Sequence, residues 1–274
     1  MRIPPSRAEA ALLAGAAALL VIAWLGPVVA QPGDYHRFAD QRMLWRLPMA
    51  LDVLSNLLFA LAGVAGLASL HGTSPYRLTK AQRAMATLFF AGLLCTAATS
   101  ARYHLAPDEP GLMVDRCGMV VAFAGLLGIA AAGCVSERAG GCLGLALLLL
   151  GPVAAAIAWR TGNALPWALL QFGCMGLLLL VASTPKPDGA LGVHWGAVVL
   201  LYSLAKLLEM NDHAVYEVTG HLLSGHTLKH AVAALAAAPV VFALRRLSKP
   251  RQNRASETSS IKTAGRRPAA QEET

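Results

Sequence analysis

The chain has 274 residues, 56% of them hydrophobic and only 14% charged, with a mean hydropathy of +0.53 and a formal net charge of +8. A water-facing domain carries about 25% charged residues, so a soluble enzyme, a disordered chain and a coiled coil are excluded and a polytopic membrane protein is indicated. Residues 245–274 alone hold eight Lys/Arg and three Glu, a charge of +5, so the basic balance marks a cytoplasmic end facing anionic lipid rather than a nucleic-acid partner.

Crossing the hydrocarbon core takes about 20 apolar residues in a helix. Eight runs qualify in chain order: 9–30, 50–70, 84–104, 115–134, 142–159, 166–183, 192–210 and 226–245. Breakers separate them at Gln31-Pro32-Gly33, Gly72-Thr73-Ser74-Pro75, Ala106-Pro107-Asp108 and Pro185-Lys186-Pro187. The runs are too long and continuous for barrel strands, and no repeat stands out. The expected fold is therefore an all-α polytopic membrane helix bundle. Residues 1–30 read as an N-terminal transmembrane helix, uncleaved although Val28-Val29-Ala30 offers a signal-peptidase-like site. Residues 31–247 read as the core and 248–274 as a disordered basic tail. With the N-terminus inside, the inner segments hold Arg2, Arg7, Arg77, Lys80, Arg83, Arg138, Lys186 and the tail; the outer ones hold Arg37, Arg42, Arg46 and Arg160. Both termini are expected to be cytoplasmic.

Ionisable residues in membrane spans are expensive and are functional suspects. Asp52, Ser55 and Asn56 open the second span, Ser100 and His104 close the third, and Asp115 opens the fourth. Lys206 and Glu209 close the seventh, and His226 and His230 open the eighth. Odd spans end where even spans begin, so all these groups are expected at one end of the bundle, the periplasmic one by the charge distribution.

His226-Thr-Leu-Lys-His230 puts two imidazoles one helical turn apart on a single face. Ser100-Ala-Arg-Tyr-His104 supplies a third at the same spacing. Three neutral nitrogens with an open position suit a catalytic Zn2+, which brings the pKa of its water towards about 7. Asp115 is placed to take that water's proton and Ser100 to donate to an oxyanion. Each piece has a plainer reading alone: interfacial histidines, a packing serine, an Asp115 that pairs with Arg116 or caps its helix.

The five positions together resemble the alkaline ceramidase family, within the CREST superfamily of membrane hydrolases that also includes progestin/adiponectin-receptor proteins and Per1-like lipases. Asp52-Val-Leu-Ser-Asn56 resembles the start of that family's first core helix. Phe38-Ala-Asp-Gln-Arg42, Tyr103-His-Leu-Ala-Pro-Asp108 and Ser224-Gly-His-Thr-Leu-Lys-His230 look like its bacterial branch. The resemblance covers roughly residues 34–245 and implies a seven-helix core with span one as an addition. It also implies zinc on His104, His226 and His230, with Asp115 and Ser100 assisting attack on the amide of a ceramide or phytoceramide. A bacterial inner membrane is the location it suggests. Eukaryotic members carry acidic residues that bind calcium before the first core helix. Here that stretch offers only Asp34 and Asp40, with Met49 near where a carboxylate is expected, which makes Ca2+ doubtful. Two rival readings share the site: a zinc-dependent lipid ester hydrolase, and a lipid receptor in which zinc is structural.

Secondary candidates read more plainly. Lys206 and Glu209 neutralise each other at i,i+3, with a head-group role as the minority reading. Asp52 and Asn56 are lesser site candidates. Asp40 and Arg42 belong to an interfacial loop, and His213 and His221 to the last outer loop. Trp24, Trp45, Trp159, Trp167 and Trp195 form an aromatic belt. Cys95, Cys117, Cys134, Cys142 and Cys174 are small apolar residues rather than a disulfide framework. The partners expected are a membrane lipid and the bilayer, with no nucleic acid and no obligate protein partner.

Overall fold

The computed structural model describes residues 6–184 and 190–248. Arg2, the Pro185-Lys186-Pro187 breaker and the tail beyond Ser248 lie outside the described residues. Every one of the eight apolar runs folds as helix. The first is α1 (Arg7–Leu25), and the second is split into α2 (Ala50–Ser55) and α3 (Leu57–His71). Then follow α4 (Lys80–Leu105), α5 (Glu109–Cys134), α6 (Glu137–Thr161) and α7 (Leu165–Ala182). The last part holds α8 (Trp195–Met210), the short α9 (Asp212–Val218), α10 (Gly225–Leu235) and α11 (Ala238–Ser248). No strand is named among the described residues; two isolated bridges are the only extended pairings there.

Helix starts follow local chemistry. Ser6 and Thr79 form capping boxes with Glu9 and Gln82, and Asp108, Ser136 and Ser224 accept from the first turns of α5, α6 and α10. Asp108 caps α5 well before residue 115, so Asp115 does not open its span but sits on the second turn, inside the bundle. Two breaks are equally local. The side-chain amide of Asn56 donates to the Asp52 carbonyl at 2.8 Å, in place of the ladder bond from its own N–H, and divides α2 from α3. Pro239, lacking an N–H, follows the break between α10 and α11. The run 192–210 yields a helix of only 16 residues, because residues 192–194 stay outside it; after Met210 the chain continues into the short α9.

Among the described residues seven helical stretches are long and apolar enough to cross a membrane, and the protein is an integral membrane protein. Its outer surface carries Leu61, Val64, Leu145, Leu149 and Leu200, all largely exposed, as a lipid-facing surface requires. At the centre stands α5, with 78% of its apolar window buried, whereas only 11% of that of α1 is buried. The central helix crosses α4 closely: a Cβ on Gly92 would overlap the Ala122 backbone, and one on Gly125 the Phe89 backbone.

The two ends of the bundle differ in chemistry. At one end Glu9 bonds Ser136 and Arg138, Arg83 caps the carbonyls of Leu70, Thr73 and Ser74, and Arg245 donates to Ser69. At the other end residues 31–49 form a strap across the helix termini. Gln31 donates to Glu109 at 2.7 Å, the Ala39 N–H to Asp212 at 2.9 Å, and Arg42 to the Leu222 carbonyl at 2.8 Å. His104 and His226 pack against Phe38 of this strap.

Candidate metal centre and polar cavity

The last two turns of α4 carry Ser100, Tyr103 and His104, all buried, and the first two turns of α10 carry His226 and His230. The start of α10 is fixed tightly. Ser224 caps the helix by accepting from the Thr227 N–H at 2.9 Å, and the His226 N–H donates to Asp212 Oδ1 at 2.7 Å. Gly225 lies against the end of α8, where a Cβ would overlap the Leu208 carbonyl and stand 2.8 Å from Asp212 Cα.

These constraints bring three imidazoles together. His104 Nε2 and His226 Nε2 are 3.1 Å apart, and one ring nitrogen from each of His104, His226 and His230 lies within 4.8 Å of the others. All three rings are buried. Phe38, from the strap, packs edge-on against His104 and His226 with centroids 4.7 and 4.5 Å away. The tautomer of His230 follows from its neighbour. The Ser55 hydroxyl donates to the Asp52 carbonyl at 3.0 Å, so its oxygen accepts the Nδ1–H of His230 at 2.8 Å. That leaves Nε2 of His230 as the lone-pair nitrogen, the arrangement outer-shell partners give to ligating histidines. A neutral three-nitrogen donor set in a buried pocket fits a metal ion, and the cluster can bind one.

The remaining sequence-derived residues fall into two groups. Ser100 and Asp115 join His226 and His230 in lining a polar cavity that offers about 70 Å³ to water centres, several times what one water needs. Ser100 hydrogen-bonds Asp115, whose Oδ1 is buried without a partner. Asp115 therefore neither pairs with Arg116 nor caps its helix. Lys206 and Glu209 line the opposite wall of the cavity, but they do not simply neutralise each other: Glu209 also accepts from Lys229 at 2.9 Å. Asp52 and Asn56 stand behind the cavity. Asp52 accepts from Thr227 at 2.5 Å and Ser224 at 3.2 Å, so it braces α10.

Two strap groups have shifted acidities. Burial opposes ionisation of Asp40, but the Arg42 side chain and backbone N–H, which engage it at 2.6 to 3.0 Å, outweigh that and hold its carboxyl below the usual range. Burial, with Glu209 nearby, pushes the Tyr35 phenol up and keeps it neutral beside the cavity.

Sequence reasoning missed several participants. Asp212 holds both the strap and His226, yet it stands in a segment read as a loop. Arg116, weighed from sequence as a partner for Asp115, is buried and lines the cavity. Trp167 and Trp195 are buried too, so the aromatic-belt reading fails for both. The segment holding His213 is helix α9 rather than loop, and His213 reaches the Arg37 carbonyl at 3.1 Å. None of the five cysteines is bridged to another. No family model, curated protein or solved structure matches the chain.

Proposed function

We propose that the protein is a zinc-dependent amidohydrolase that cleaves the amide of ceramide- or phytoceramide-like lipids to a sphingoid base and a fatty acid. The observation that carries this reading is a cluster of three buried imidazoles, two of which, His226 and His230, line one cavity with Asp115 and Ser100. A closed structural metal site has no use for a carboxylate acting as proton acceptor or for a hydroxyl beside it. A second, apolar cavity of about 80 Å³ shares Phe59, Thr96, Met119, Tyr202 and Ala233 with the polar one, which supports an acyl chain lying beneath the reacting amide. The resemblance to alkaline ceramidases supplies the lipid class.

His104, His226 and His230 would hold the metal. When bound, it supplies Lewis acidity and a more acidic water. Asp115 takes the proton of the attacking water and passes it to the departing nitrogen, so amide and water become carboxylic acid and amine. The Ser100 hydroxyl rests on Asp115; once that carboxylate is protonated its hold weakens, and the O–H turns to the oxyanion. Phe38 and the buried lining exclude bulk water from the imidazoles. The Lys/Arg of the inner segments, counted together with the basic C-terminal sequence, support cytoplasmic termini in a bacterial inner membrane, with the cavity near the periplasmic face.

Metal content and fatty-acid release from a ceramide panel, measured side by side on wild type and His226→Ala, test the reading. Loss of both together is expected. Undiminished release without bound metal sinks it, and release from ester lipids alone transfers the site to an esterase.

A further inference from the structure

Five ionisable side chains line the polar cavity: Arg116, Lys206 and Lys229 against Asp115 and Glu209. Glu209 lies between both lysines, meeting Lys206 with one oxygen and Lys229 with the other. One carboxylate thus serves two ammonium groups. Arg116 makes no contact ion pair among the described residues, and the charge of Asp115 acts on it only at longer range. It is only 3% exposed, yet one terminal nitrogen donates to the neutral Gln31 side chain at 2.8 Å and its buried Nε meets no acceptor. The one carboxylate near Gln31, Glu109, is engaged by Gln31 and His36 instead. The rings of Tyr35 and Trp167 flank the guanidinium at 5.5 and 5.2 Å. Ring faces orient a cation but do not neutralise it.

A buried guanidinium without an anion in contact is strongly unfavourable, and more so in a membrane protein, where such residues line ligand paths. Its planar fork matches an oxyanion through two parallel hydrogen bonds. We infer that the lipid held in this cavity carries an oxyanion, a phosphate or carboxylate, received by Arg116 with Lys206 and Lys229. This rests on the hydrolase reading of the neighbouring site and narrows its substrate class from neutral to anionic acyl lipids.

The test is binding, measured on the full chain in uncharged nanodiscs by displacement of a fluorescent acyl probe. Three competitors share one acyl chain: an N-acyl sphingoid base, its 1-phosphate, and the free fatty acid. At least tenfold tighter binding of an anionic lipid than of the neutral one is expected. The gap should shrink below threefold in Arg116→Gln and partly return in Arg116→Lys. Preference for the phosphate over the fatty acid assigns the head group as the source; the reverse assigns the carboxylate. Wild type binding all three within threefold overturns the inference, as does inorganic phosphate displacing the probe as well as the lipids do. The wild-type comparison decides even if Arg116→Gln does not fold. Because binding needs no turnover, absence of fatty-acid release would remove the hydrolase reading and leave this result interpretable.

Discussion

His104 and His226 are 122 positions apart in the chain, yet their Nε2 atoms stand 3.1 Å from each other in a buried pocket. Two neutral rings facing each other nitrogen to nitrogen can share at most one proton between them. A metal ion satisfies both lone pairs at once, and His230 adds the third.

Replacing His104 or His230 by alanine is therefore expected to remove metal and turnover together. Elemental analysis of purified protein beside a fatty-acid release assay reads both. Metal retained at wild-type stoichiometry in either variant would remove that residue from the ligand set.

The Ser55 hydroxyl fixes the His230 tautomer at 2.8 Å. Ser55→Ala leaves all three rings in place but frees His230 to rotate or move its proton. A fall of about 10- to 100-fold in metal affinity is expected, read by competition with a chelator of known affinity. Unchanged affinity would show that the tautomer is set elsewhere.

Asp115 touches none of the three imidazoles through a hydrogen bond in the structure. Asp115→Asn is expected to keep the metal and to lower kcat by about 10²- to 10⁴-fold, the range of a general acid–base group. Loss of metal in this variant would instead make Asp115 part of its binding site.

Gly225 lets α10 begin directly against α8. Gly225→Ala forces its Cβ onto the Leu208 carbonyl and should destabilise the fold by about 1–3 kcal/mol. Because the residue precedes His226, metal affinity should fall as well. A thermal melt with and without added zinc measures both effects.

Acid is expected to loosen the strap. Asp40 has its carboxyl held below the usual range by Arg42, so its contribution is fully present above the unfolded value, about 4. It fades as pH falls through the lower folded value. Protease cleavage within residues 31–49 should rise in that acid window for wild type, whereas Asp40→Asn should be cleaved readily at all pH values. A wild-type strap equally resistant across the window would assign its order to other contacts.

The helices were legible because each apolar run is long and bounded by caps or breakers, and the histidines because i,i+4 spacing survives as a shared helix face. Depth was less legible. Asp108, not Asp115, starts α5, and that shift of two turns carries Asp115 and Arg116 from the rim into the interior. Trp167 looks like a span-end anchor by position, but it packs beneath Arg116 and is buried. Asp212 has no periodic signal at all; its role comes from the short α9 after Met210, which hydropathy reads merely as the end of a span.

The two oxygens of Asp212 hold two backbone N–H groups from different worlds: Ala39 in the strap and His226 at the pocket. A single carboxylate thus makes the order of an extramembrane segment and the placement of a ligating ring parts of one equilibrium. Linkage then works in both directions. Whatever occupies the three imidazoles steadies the strap, and whatever pulls on the strap weakens the hold on that occupant. Surface events at residues 31–49 can thereby reach the three-histidine pocket through one carboxylate.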